Sequence, residues 1–328
     1  MMKIEYYLPA TVFTNQDLEK IFPKLPAAIV EEKIGIRERH ISAQNETALD
    51  LAIEASKMVL EGFDKDRIDF ILLCTQSPDY FLPSGSCILQ DKLGLITGAG
   101  ALDFNLGCSG YIYGLTLAKG LLQSRIATNV LLVTAETYSK YVHPRDRANR
   151  AIFGDGAAAT IIQLSDLEKI HGFELGTDGS GYGNLIVTNG ALRQPYNETV
   201  KETLDENGNL YSPNHLYMNG QEIFNFTIEK VPGLIEKILK KNNFTIEEID
   251  YFIFHQANKY MLEYLRKKIR IPSEKFHNNT LLSGNTVSST IPIALKESMN
   301  LNIIKPGDKV LLAGFGVGYS WGATILEI

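Results

Sequence analysis

Cys108 lies in Asn105-Leu-Gly-Cys-Ser-Gly110, where an apolar run ends and a Gly- and Ala-rich helical pattern from Tyr111 to Leu122 begins. A thiol at such a point can be a nucleophile that carries a covalent intermediate. The unpaired N–H groups and positive dipole end of a helix start favour thiolate over thiol, which lowers a free-cysteine pKa of about 8.5. Flanking glycines let a substrate carbonyl reach the backbone. A lone cysteine is more readily read as a small buried hydrophobe, so its partners decide. Residues 249–258 read as a buried strand that delivers His255 at its tip, followed by a helix from Lys259 to Ile269. Asn285 falls in a glycine-marked turn before another helix, and residues 310–322 read as strand, glycine-rich turn and strand. Taken singly, a strand-end His, an Asn after Gly and a Gly-x-Gly-x-Gly bend are ordinary turn chemistry.

Taken together they are specific. Gly107-Cys-Ser-Gly110, His255-Gln-Ala-Asn258, Gly284-Asn-Thr286 and Gly314-Phe-Gly-Val-Gly318, in that order and at those spacings, resemble the β-ketoacyl-acyl-carrier-protein synthase III family of thiolase-like condensing enzymes. The resemblance covers almost the whole chain and includes Gly35-Ile-Arg-Glu-Arg-His40, Asp146-Arg147 and Phe153-Gly-Asp-Gly-Ala157. It implies an α/β, five-layer αβαβα fold built from two similar halves, 1–167 carrying Cys108 and 168–328 carrying His255 and Asn285. It also implies that Cys108 takes an acyl group from a thioester while the backbone N–H groups of Cys108 and Val317 hold the oxyanion. His255 and Asn285 would then bond the thioester carbonyl of a malonyl group on acyl carrier protein, stabilising the enolate formed as carbon dioxide leaves. Attack of that enolate on the acyl-cysteine gives a β-ketoacyl thioester. The implied substrates are acyl-CoA or acyl-carrier thioesters, with no further cofactor and no metal. The implied assembly is a cytoplasmic homodimer. A triad-bearing acyltransferase, or a specialised-metabolism ketosynthase moving the acyl group to a non-malonyl acceptor, is the alternative.

Departures from the family pattern bear on substrate. Val317 stands where Gly is usual. Ile29 replaces a Trp that stacks on the adenine of coenzyme A, and Lys33 stands where a phosphate-contacting Arg is usual, while Arg147, on the opposite adenine face, is retained. Loss of a stacked aromatic removes about 1–2 kcal/mol, or roughly tenfold in affinity. The expected acyl donor is therefore a carrier-protein thioester or a weakly held acyl-CoA. Leu82, in Tyr80-Phe-Leu-Pro-Ser84, replaces a Phe expected to cross a dimer interface into the partner's acyl pocket, and a smaller side chain suits a longer or branched acyl group. Asn258, closing the His255 motif, belongs with the substrate-binding set. Arg266, Lys267, Lys268 and Arg270 match the basic patch that receives the acidic carrier protein in this family.

The elements that must hold these residues are legible as one plan written twice. Strands are predicted over 67–76, 129–134 and 156–163, with a helix over 85–93, and again over 248–254, 309–313 and 321–328. Short uninterrupted apolar runs alternating with helices predict a buried mixed sheet covered on both faces. The halves should meet near 165–170. A Gly-, Asn-, Pro- and Thr-rich stretch over 179–212 reads as an excursion capping the site.

Composition excludes other classes. A net charge of −6 without a basic tract disfavours a nucleic-acid binder. No apolar run approaches the roughly 18 residues of a membrane span, so no membrane partner and a cytoplasmic setting are expected. Three cysteines, Cys74, Cys87 and Cys108, form neither a disulfide framework nor zinc spacing. A second cysteine in the C-terminal glycine-rich turn, as a biosynthetic thiolase would use, is missing. A serine hydrolase would carry Gly-x-Ser-x-Gly at the elbow, where this chain has Cys108.

Overall fold

The computed structural model describes residues 2–204, 208–278 and 280–328. Five strands form the first sheet: β1 (Met2–Tyr7), β2 (Phe70–Cys74), β3 (Gly100–Phe104), β4 (Asn129–Glu136) and β5 (Gly156–Gln163), in the order β1-β5-β4-β2-β3. β2 pairs in parallel with β3 and β4, and β5 runs antiparallel to β4 and β1. The second sheet holds β6 (Glu174–Thr177), β7 (Tyr251–Phe254), β8 (Lys309–Gly316) and β9 (Ser320–Glu327), in the order β7-β8-β9-β6. β7 and β8 are parallel, and β9 is antiparallel to β8 and β6.

The pairing senses repeat: β6, β9, β8 and β7 reproduce β1, β5, β4 and β2. At the position of β3 the second sheet has a single parallel bridge, Phe252 with Phe276. All eight residues of β4 are buried, because sheet faces covered on both sides leave no polar alternation. β1, β3 and β6, which the apolar runs do not announce, are edge strands. None of the five residues of β3 is buried, and β6 alternates half-buried with exposed.

Six helices supply the remaining layers: α1 (Ala48–Leu60), α2 (Gly85–Leu93), α3 (Gly110–Gln123), α4 (Gly220–Lys241), α5 (Lys259–Ile269) and α6 (Thr290–Asn300). α1 opens on a capping box in which Thr47 and Asp50 satisfy each other's backbone N–H. α1 and α2 cover the outer face of the first sheet, α4 and α5 that of the second, and α3 and α6 pack between the sheets. Tyr111, Ile112 and Leu115 of α3 meet Leu72 and Leu132 on one side and Ile253 and Leu312 on the other, in one continuous core. The result is the five-layer αβαβα arrangement. It sets the starts of α3 and α6 and the ends of β7 and β8 around one point. Among the described residues no helix is long and apolar enough to cross a membrane.

Candidate active site

Each of the three reactive side chains sits where an element ends. Cys108 precedes Ser109, the cap residue of α3. His255 follows the last residue of β7 and donates its backbone N–H to Ala313 O at 2.8 Å, so the β7–β8 ladder fixes its Cα. Asn285 is held by the first half: its N–H donates to Ile152 O at 2.9 Å and its carbonyl accepts the N–H of Gly154 at 3.1 Å. The glycine-rich end of β8 passes directly beneath the nucleophile. A Cβ on Gly314 would lie 2.8 Å from Cys108 O, and one on Gly316 would lie 2.9 Å from Cys108 Sγ, so no side chain fits there.

Cys108, His255 and Asn285 line one cavity of about 130 Å³, together with Tyr138, Phe153, Leu185, Met218 and Phe315. Leu185, inside the predicted excursion 179–212, pairs in register with Met218, six residues beyond its end. That segment therefore contributes to the wall of the cavity. A larger cavity, about 660 Å³, lies at the seam of the halves between Met2, Leu122, Leu164, Met299 and Leu326. It contains none of the three reactive side chains, and the smaller cavity is the one that concerns the chemistry.

The backbone N–H groups of Cys108 and Val317 both act on the Cys108 sulfur and favour its charged form, which is the placement expected of an oxyanion site. Their effect is outweighed. Burial, and then the nearby Glu136 carboxylate, pushes the Cys108 thiol up to about 12. The lowered pKa expected from the helix start is thus overturned: a residue only 6% exposed loses more hydration than two N–H groups and a dipole restore. Glu136 is itself fully buried, accepting from Gln76 N at 3.1 Å, Ser77 Oγ at 3.0 Å and Ser288 Oγ at 2.9 Å, and burial pushes it up to about 8. The rate of Cys108 alkylation by iodoacetamide should rise about tenfold per pH unit from pH 6 to 10 without levelling off. A plateau near pH 7 would show a resting thiolate instead.

His255 is 3% exposed, and burial holds its pKa down at about 3. The ring is neutral at physiological pH and can offer one N–H. Its Nδ1 lies 2.8 Å from Thr290 Oγ1. Asn285 Oδ1 accepts the N–H of Val287 at 2.9 Å, which turns the NH₂ group away from that turn.

The other sequence-predicted residues lie at or beyond the mouth. Asn258 lines the cavity and caps α5, its side chain accepting from Met261 N. The short helix Ala27–Ile34, which carries Ile29 and Lys33, packs against α5; both side chains are exposed. Arg147 is half-buried at the start of the helical turn Arg147–Arg150. Leu82 is 82% exposed and forms no part of the cavity wall within one chain. In the basic patch, Arg266 bonds Glu263 at 2.9 Å and Ile271 O at 3.0 Å, and Lys268 donates to Ile228 O at 2.9 Å. Lys267 and Arg270 are exposed at the end of α5. Sequence reasoning missed Tyr138, Glu136 and Thr290, none of which adjoins a glycine, and quoted Phe153 in a motif without giving it a place in the site.

The sequence and the fold match known proteins over nearly the whole chain. Residues 239–328 match the family profile "3-Oxoacyl-[acyl-carrier-protein (ACP)] synthase III C terminal" and residues 102–179 match "3-Oxoacyl-[acyl-carrier-protein (ACP)] synthase III". A β-ketoacyl-[acyl-carrier-protein] synthase III of Clostridium perfringens is 38% identical over 331 residues, covering 100% of this chain and 98% of the relative. A crystal structure of a 3-oxoacyl-(acyl-carrier-protein) synthase III superposes with a TM-score of 0.97 at 47% identity, over 99% of this chain and 98% of that one. The priming β-ketosynthase of a polyketide pathway superposes with a TM-score of 0.88 at 26% identity, over 99% and 94%. On full-length identity, matching profiles and a shared architecture, this chain belongs to the β-ketoacyl-acyl-carrier-protein synthase III family.

Proposed function

We propose that this enzyme is a β-ketoacyl-acyl-carrier-protein synthase III in which Cys108 is the acyl carrier and His255 and Asn285 are the donors to the malonyl thioester. The convergence of a thiol, an imidazole and a carboxamide on one buried cavity carries this reading. In the first half-reaction the sulfur of Cys108 attacks the acyl thioester and the N–H groups of Cys108 and Val317 hold the oxyanion. The C–S bond of the donor breaks and the thiol proton leaves with the departing thiolate, so no net proton is consumed. In the second, the C–C bond to the malonyl carboxylate breaks, carbon dioxide departs, and the electron pair becomes an enolate whose oxygen faces His255 and Asn285. The enolate carbon attacks the acyl carbonyl, expelling the Cys108 thiolate, which takes a proton from solvent. The thioester substrates bring the acyl groups themselves, and this scheme needs no further cofactor or metal.

Incubation with acyl donor and carbon-labelled malonyl-carrier tests the scheme: labelled carbon dioxide together with an elongated thioester is expected. Acyl transfer without carbon dioxide release would replace it with the acyltransferase reading. With Ile29 in place of a stacking aromatic, loading of Cys108 from a carrier-protein thioester is expected to exceed loading from micromolar acetyl-CoA, as read by intact-protein mass.

Lys267 and Arg270 face solvent at the C-terminal end of α5, the helix that Asn258 caps at the cavity, a placement suited to an anionic carrier. Lys267→Glu combined with Arg270→Glu should raise the KM for malonyl-carrier roughly tenfold at low ionic strength, with less effect in high salt. Alkylation of Cys108 should be unchanged. An unaltered KM would remove this patch from carrier recognition. The reading includes a cytoplasmic homodimer: the apolar side chains of Tyr80, Phe81 and Leu82, 62%, 78% and 82% exposed, accompany Leu102 of the edge strand β3, 46% exposed. An edge strand and exposed large apolar side chains suit closure by a second copy. In such a dimer Leu82 would be free to enter the partner's acyl site.

A further inference from the structure

A carboxamide and a neutral imidazole can each present either a donor or an acceptor to a ligand. A malonyl thioester oxygen needs two donors. Both choices are controlled here by one short turn, the 3-10 segment Val287–Ser289 and the first residue of α6, Thr290.

Val287 has φ +56°, the left-handed region that β-branched residues avoid. It is 1% exposed and packs with Cys108, Tyr138 and Phe153. Strain of this kind persists only where the surroundings impose it. What the conformation delivers is the Val287 N–H, aimed at Asn285 Oδ1 at 2.9 Å. With Oδ1 occupied, the amide can turn only its NH₂ group to the cavity.

Three residues on, Thr290 Oγ1 lies 2.8 Å from His255 Nδ1 and 3.0 Å from Val287 O. The hydroxyl has one proton to give. Val287 O already accepts the N–H of Thr290, so it stays bonded whichever way the hydroxyl turns. Given to Val287 O, the hydroxyl proton would let Nδ1–H donate to Oγ1 and leave Nε2 an acceptor, which a thioester oxygen cannot use; condensation therefore requires the hydroxyl to donate to Nδ1. Donation to Nδ1 places the ring proton on Nε2.

We propose that Val287 and Thr290 are positioning residues that set both cavity groups as donors: the Val287 N–H directs Asn285 Nδ2, and the Thr290 hydroxyl fixes His255 as the Nε2–H tautomer. Neither residue needs to touch substrate. The choice of tautomer rests on the condensing reading above, and the ring spectra test it without turnover.

Thr290→Val keeps the shape and removes the hydroxyl, and Thr290→Ser restores it. In ¹⁵N-histidine-labelled free enzyme at pH 7, His255 in the native protein and in Thr290→Ser should show a protonated Nε2 and an unprotonated Nδ1. Thr290→Val should lose that bias. Condensation kcat in Thr290→Val should fall roughly tenfold to a hundredfold, the scale typical of a partner that orients a functional histidine. The KM for malonyl-carrier and the rate of acyl loading should hold. A native Nδ1–H ring overturns the proposal whether or not the enzyme condenses. So does a fall in kcat that leaves the tautomer unchanged, or a serine variant that fails to recover. Lack of carbon dioxide release from the native protein would sink the condensing reading and leave the spectroscopic result standing. Should Thr290→Val not fold, the native and Thr290→Ser spectra still decide the tautomer.

Discussion

Cys108→Ala is expected to abolish the acyl-enzyme and to lower condensation by on the order of 10³-fold or more, the scale on which loss of a covalent nucleophile is felt. Removing one sulfur from a cavity wall leaves the five layers intact. His255 and Asn285 stay where the backbone puts them, because the bonds that hold them run to Ala313, Ile152 and Val287 and none runs to Cys108. Decarboxylation of malonyl-carrier should therefore continue in this variant, uncoupled from elongation. Intact-protein mass after exposure to acyl donor reads the first effect, and labelled carbon dioxide reads the second. An adduct that survives the substitution would move the nucleophile elsewhere. Cys74 is the worse candidate: it is fully buried, donates to Leu106 O at 3.1 Å, and burial pushes its thiol up. Cys87 is exposed, beside Ser84 Oγ at 3.1 Å, and has no part in the cavity.

The same logic explains what could be read from the chain before its fold was known. Cys108, His255 and Asn285 each stand at a boundary between elements, marked by glycine at Cys108 and Asn285 and by the end of an apolar run at His255, so both the residue and its setting are visible locally. The long central strands are visible for a related reason. β4 and β8 are covered on both faces, and their apolar runs are correspondingly unbroken. β3 and β6 are half-covered edges and leave no such run. The groups that tune the site were hidden because their meaning lies in three dimensions. Glu136 ends β4 as an ordinary acidic residue; only the fold buries it among Gln76, Ser77 and Ser288. Tyr138 reaches the cavity while its hydroxyl donates to Gln76 Oε1 at 2.6 Å, a contact across 62 positions. The expectation of a lowered Cys108 pKa failed on the same ground, since local reasoning sees the helix start and cannot see the burial that outweighs it.

His255→Ala and Asn285→Ala should leave acyl loading of Cys108 nearly intact and each cost about 10²–10³-fold in decarboxylation and condensation, or roughly 2.7–4 kcal/mol of transition-state stabilisation. Both donors act on one oxygen, so the double variant should lose less than the product of the single losses. The separation of half-reactions is the discriminating result. Loss of loading in His255→Ala would make the imidazole the base for Cys108, contrary to a ring whose pKa burial holds at about 3. That pKa also fixes a pH dependence. Condensation should show no acid limb attributable to His255 between pH 8 and pH 5, because the ring stays neutral throughout. Stability behaves differently. The unfolded ring takes up a proton near pH 6.5 while the folded one resists until about pH 3, and His277, held at about 4 by burial, adds to the effect. The folded state is thus favoured above pH 6.5 and loses ground as pH falls from there toward 3. In His255→Ala that acid-side decline should be shallower. The measurement is the denaturation midpoint against pH for both proteins, and parallel curves would mean that His255 titrates in the native fold as it does in the unfolded chain.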